Sequence, residues 1–133
     1  MNNYMTPSEE KRIKQEFVTY LRKGDIDANI KSDLIRINKI KGIATLVSCE
    51  GHNSKCPYIV FAVSKAQEKK LNEWISYFVK LHIDTKKRYK VKTIEIPLYD
   101  FDAKKKSAIK PAIAVYGDVK SPELFREALH KLR

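Results

Sequence analysis

Glycine, proline and cysteine are all scarce in this chain, at four, five and two of 133 residues. So little glycine and proline excludes a collagen-like or low-complexity polymer, and a 43% hydrophobic content excludes a chain too polar to fold. Two thiols, Cys49 and Cys56, are too few for the disulfide framework of a small secreted scaffold. They are close enough in sequence to be joined across one tight loop, a bond tolerated in hyperthermophile cytosol. No apolar run nears the roughly 20 residues that cross a bilayer. Residues 1–15 carry Glu9, Glu10, Lys11 and Lys14 where a secretory leader would be apolar. The expectation is a cytoplasmic protein without a membrane span. Also missing are a P-loop, a Rossmann glycine fingerprint, a His-Glu-x-x-His pair, an RNA-recognition-module consensus, a helix-turn-helix and zinc-finger spacing.

Positive charge is what the chain has in excess. Its 27 Lys and Arg outweigh 16 Asp and Glu for a net charge of +11. A surplus of that size favours polyanionic partners such as RNA, DNA or anionic lipid. Only six of the basic residues are arginines, the better phosphate forks, so solvated lysine faces are an equally good account. Abundant lysine and isoleucine, with glutamine only at 15 and 67, lean toward a thermophilic or AT-rich source. At this length one domain with one core is expected over residues 1–133.

Apolar spacing and turn chemistry place the elements. Thr6-Pro7-Ser8-Glu9 reads as a capping box opening a helix that buries Ile13, Phe17, Tyr20 and Leu21, with Gly24 to end it. A second helix is predicted from Asp25 or Asp27, burying Ile26, Ile30, Leu34, Ile37 and Ile40 and ending at Gly42. Ile43 to Cys49 and Pro57 to Val63 read as an antiparallel hairpin whose mostly apolar strands belong in the middle of a sheet. Ser64 with Gln67 predicts a capping box for a third helix presenting Leu71, Trp74, Ile75, Phe78 and His82, with Trp74 as a core anchor. Arg88 to Leu98 and Ala108 to Tyr116 are strands around a charged connection, Tyr99 to Ser107, and Pro111 argues for an edge or a bulge. Ser121-Pro122 opens a last helix with Leu124, Phe125, Ala128, Leu129 and Leu132 as its apolar set and His130 as a C-terminal dipole or capping group. The fold class is therefore α+β, in the order α-α-β-β-α-β-β-α, with a four-stranded antiparallel or mixed sheet and helices mainly on one face.

One short element stands out chemically: Ser48-Cys49-Glu50-Gly51-His52, at the end of the first strand. A rigid sheet positions strand-end loops, which is why sites gather there. Three readings stay open. Cys49, His52 and Cys56 make a C-x2-H-x3-C set that offers three zinc ligands, with His82 or water as the fourth; zinc sites normally use two pairs, so metal is not favoured. A thiolate beside an imidazole is a nucleophile, but no third orienting residue is evident. The third reading is a small buried Cys49 in an ordinary turn.

Residues 33–52, and within them Ile37-Asn38, Thr45, Ser48, Cys49 and Gly51, resemble the opening of the wybutosine-synthesis methyltransferase family. In that family a helix bearing an Ile-Asn pair precedes a strand ending in Thr-x-x-Ser-Cys-x-Gly-Arg. The chain is also similar to small microbial and phage-type proteins with Ser-Cys-x-Gly-His. The resemblance implies a pocket bordered by Ser48, Cys49, Gly51 and His52, S-adenosylmethionine as cofactor, and a tRNA guanosine derivative as substrate. His52 replaces the family's arginine, removing a permanent charge and a bidentate fork.

Lys86, Arg88, Lys90 and Lys92 alternate along the third strand, so they share one face, and Tyr89, Val91 and Thr93 share the other. Lys104, Lys105 and Lys106 follow in the connection. Together these seven residues form a stripe able to track a phosphate backbone, with Tyr89 or Tyr99 to stack on bases; the competing account is a strand edge guarded by lysine. The leading expectation is a basic protein binding RNA or another polyanion through the Lys-rich strand and loop, with a pocket at residues 48–52. A methyltransferase-like tRNA-modifying enzyme is the alternative. A non-catalytic interaction or host-modulating protein, viral or otherwise, in which the motif only shapes a turn, is the third, and a homodimer burying the Ser48–His52 loop would favour it.

Overall fold

A computed structural model describes residues 4–51, 55–85, 89–100 and 105–133. The elements are α1 (Pro7–Lys23), α2 (Lys31–Asn38), β1 (Ile43–Cys49), β2 (Tyr58–Val63), a single 3-10 turn over 65–67, α3 (Glu68–Thr85), β3 (Lys90–Asp100), β4 (Lys105–Tyr116) and α4 (Pro122–His130). That is the α+β order expected from the sequence. The four strands form one antiparallel sheet in the order β1-β2-β4-β3.

Local chemistry accounts for most element ends. Thr6 and Glu9 exchange the two bonds of a capping box at the start of α1, and Gly24, at φ 73°, closes the helix. The second helix is shorter than its apolar pattern predicts. Asp27 and Asn29 are drawn out of helical geometry to hold the end of β1: the Asp27 carboxylate accepts the Glu50 backbone N–H at 2.9 Å, and the Asn29 backbone N–H donates to the Glu50 carboxylate at 3.1 Å. The predicted Ser64–Gln67 box does not form. Ser64 makes no side-chain cap, and Gln67 donates instead to the Lys41 carbonyl.

The sheet also corrects one placement. β1 is an edge strand, because β4 pairs with the far side of β2. The β1 edge is protected in two ways. A bulge between Thr45 and Val47 breaks its regularity, and Asn38 at the end of α2 covers it. The Asn38 carbonyl oxygen accepts the Thr45 N–H at 3.0 Å, and its amide donates to the Thr45 hydroxyl at 2.7 Å. The predicted connection 99–107 is mostly strand, since Tyr99 pairs with Lys106 and Asp100 with Lys105. Pro111 sits where β4 pairs with β3 alone, beyond the last β2 partner at Ile113, so its missing N–H leaves no gap in the β2–β4 ladder.

Alternation sorts the sheet into two faces. On the first, Ile43, Ile59, Phe61, Val63, Ile113, Val115 and Tyr89 pack under α2, α3 and α4. Trp74 is the expected anchor: it is buried, meets Phe61 edge-on at 5.7 Å, and donates its indole N–H to the Arg133 carbonyl at 3.0 Å. On the second face, Met5 and, from α1, Ile13 pack on Ala44 and Ala62, α1 also approaches β3, and Val60, Ala112 and Ala114 pack against the side chains of Leu46, Tyr58 and Tyr116. No helix among the described residues is long and apolar enough to cross a membrane.

Candidate nucleic-acid interface

The Ser48–His52 element folds into a tightly tied corner. Ser48 is half-buried and pairs with Ile59 on the helix-covered face, whereas Cys49 pairs with Tyr58 and turns to the opposite face. The Cys49 sulfur is buried and accepts the Gly51 N–H at 3.4 Å. Both cysteines are free thiols. Glu50 is anchored to Asp27 and Asn29, and its carbonyl accepts from Arg126 of α4 at 3.4 Å. Gly51 adopts φ 87°, and a Cβ there would stand 2.9 Å from Pro122 and 3.1 Å from Pro57. Of the resemblance motif, Asn38, Thr45, Cys49 and Gly51 thus each have a local structural part around α2, β1 and the start of α4. His52 lies outside the described residues, and with it the Cys49–His52–Cys56 metal set and the Cys/His nucleophile. Among the described residues no three His, Cys, Asp or Glu side chains are grouped to hold a metal. His82, the suggested fourth ligand, accepts the Tyr89 N–H on its Nδ1 at 3.3 Å.

Of the basic stripe, Lys90 and Lys92 are exposed on one face, while Tyr89 is buried and Val91 packs against the main core. The alternation expected for this strand holds over these four residues. Lys86, Arg88 and Lys104 lie outside the described residues; Lys105 and Lys106 belong to β4, opposite Asp100 and Tyr99. Tyr89 is unsuited to stack on a ligand. It is tucked against Phe78 at 5.9 Å, and burial, with smaller pushes from Tyr77, Glu127 and Asp118, raises its phenol above the ordinary value.

The register places other aromatics beside the lysines. Cys49 pairs with Tyr58, Tyr58 with Tyr116, and Tyr116 with Lys90, making one row across all four strands. The next row on the same face is Val47, Val60, Ala114 and Lys92. Directly opposed residues of antiparallel strands share a face, so both rows belong to the face opposite α2, α3 and α4, which α1 covers toward Ala44 and Ala62. The Tyr58 and Tyr116 rings are half-buried, with centroids 5.8 Å apart and planes at 42°. Val47 beside them is 55% exposed, a large share for a valine on a sheet. Burial first, then Cys49, Tyr116, Asp27 and Cys56, raises the Tyr58 phenol above its ordinary value, which keeps the ring uncharged at neutral pH. Sequence reasoning missed both tyrosines. Each ends a strand next to a turn, and only the adjacency of β2 and β4, which are not consecutive, puts them together.

A second polar group joins α2 to α4. The buried Asp33 carboxylate takes a hydrogen bond from Arg36 at 3.0 Å and stands 3.1 Å from His130 Nδ1. Arg36 also donates to the carbonyls of Leu129, His130 and Leu132. The last carbonyls of α4 are therefore capped by Arg36 from another helix, and His130 turns to Asp33. An open cleft of about 500 Å³ beside them is lined by side chains of both signs, including Asp33, Glu123, Arg126 and Lys131, which suits no single charged ligand.

No family model, curated protein or solved structure matches the chain.

Proposed function

We propose that this chain binds RNA or another polyanion across the sheet face opposite α2, α3 and α4, with Lys90 and Lys92 as phosphate contacts. The observation that supports this reading best is the placement of those two exposed lysines at the ends of adjacent rows on the sheet face opposite α2, α3 and α4. The β3–β4 ribbon continues from Lys90 to the Asp100–Lys105 pair, a run of roughly 30 Å at strand rise, so backbone contacts can extend well past the sheet centre. The net charge of +11 supplies the long-range attraction. In the 48–52 corner, Cys49, Glu50 and Gly51 are engaged by contacts within the chain, which favours the sheet face over this corner as the binding surface.

The test is fluorescence anisotropy with a labelled tRNA, and separately with heparin, across a salt series. Binding should weaken steeply with salt. A Lys90→Gln/Lys92→Gln pair should weaken it further and flatten the logarithmic salt slope by about 1.4–1.8, the loss of two phosphate contacts. No binding to either polyanion at low salt, or a double variant indistinguishable from the parent, would overturn the reading.

A further inference from the structure

We infer that the Tyr58–Tyr116 pair is a stacking platform for unpaired bases, so that the polyanion bound on this face is single-stranded nucleic acid. The inference rests on the polyanion reading and narrows its ligand. Stacking needs aromatic faces that are accessible, uncharged and held in place, next to cations that follow the sugar-phosphate chain. The two rings occupy the middle two strands of the sheet, half-buried against Val60 and Ala114, which fixes their orientation while leaving part of each exposed. Their row ends on Lys90, and the neighbouring row on Lys92. An unpaired strand lying across the rows would set its bases on the tyrosines and its phosphates toward β3. Val47, exposed at the other end of the second row, extends the apolar floor. A duplex keeps its bases inside its own stack and gains nothing from the rings. A second copy of this chain is the competing occupant, but it would bring the same net charge of +11 to a face carrying Lys90 and Lys92, whereas a nucleic acid brings the opposite charge.

Three ligands separate these cases with the unaltered protein: a short single-stranded oligonucleotide, the same length with abasic sites throughout, and heparin. The intact strand should bind at least tenfold more tightly than its abasic counterpart, and quench tyrosine fluorescence that heparin leaves unchanged. Tyr58→Leu and Tyr116→Leu should each weaken the intact strand about tenfold and leave heparin affinity alone, while Tyr58→Phe and Tyr116→Phe should retain binding. Equal affinity for intact and abasic strands overturns the platform and leaves the polyanion reading standing. Failure of all three ligands removes both. A concentration-dependent dimer dissolved by the leucine variants, in sedimentation runs without ligand, assigns the face to a second copy and also overturns the platform.

Discussion

Gly51 shows how a residue that stands out in a sequence can owe its place to packing. Glycine at a strand-end loop reads equally well as room for a ligand or as relief for the backbone. Here its positive φ and the 2.9–3.1 Å approach of Pro122 and Pro57 require it on structural grounds. Alanine would meet both the left-handed penalty and two proline rings that cannot retreat far. Gly51→Ala is expected to destabilise the fold by about 2–3 kcal/mol. The check is a urea titration, in which the midpoint should fall at nearly constant slope. A shift below about 0.5 kcal/mol would mean that the corner gives way easily, returning Gly51 to the candidates for ligand approach. Residue type alone singled out the 48–52 stretch. It could not say why, because Pro122 comes from α4, some seventy positions away.

At the scale of elements, the legible features are those written in neighbouring residues. The α1 capping box, the inward face of α3 and the strand at Ile43–Cys49 follow from spacings of a few positions. The illegible ones depend on distant partners: the edge position of β1, the shortening of α2 by Glu50, and the Tyr58–Tyr116 pair across β2 and β4. An all-apolar strand such as Tyr58–Val63 hides which of its faces is open, since both look equally buried in sequence. The docking of α1 has the same non-local character and carries a pH signature. Glu10 accepts the Gly42 N–H at 2.7 Å and pairs with Lys14 at 2.7 Å; Lys14 in turn donates to the Ile40 carbonyl at 2.8 Å. Burial by itself raises the Glu10 carboxyl, but the bonds from Lys14 and Gly42 and the nearby charge of Lys41 outweigh it, leaving the group below its ordinary value. A depressed folded value gives stability that is complete above the unfolded value and is lost as pH falls through the folded one. Glu10→Gln should therefore cost about 1 kcal/mol at pH 7, and the gap from the parent should close as pH falls through and below the ordinary carboxylate range. Parallel melting curves of the two proteins at several pH values would check this; a gap that stays constant with pH would show that the carboxylate charge contributes nothing.

At the scale of the whole molecule, charge decides more than any one contact. With 27 basic and 16 acidic side chains, at least eleven cations cannot have a carboxylate of their own, however the ion pairs are arranged. The resulting self-repulsion opposes the compact state, and dissolved salt screens it over a distance of about 8–10 Å at physiological strength. Pairs such as Glu10–Lys14 and Arg36–Asp33 lie within one helix and are partly buried, and partly buried pairs are screened less than exposed charges. Screening should therefore act mainly on the surplus. Raising sodium chloride from about 20 to 200 mM is expected to stabilise the chain by about 1 kcal/mol, seen as a melting temperature higher by about 4 °C. Heparin at low salt should stabilise it further, because a ligand that binds the folded state adds its binding free energy to folding. Scanning calorimetry with and without each addition separates the two effects. If salt lowers the melting temperature, attractive pairs outweigh the surplus. If heparin adds nothing beyond equivalent salt, the excess charge is a general property of the surface and is not gathered on the sheet face that carries Lys90 and Lys92.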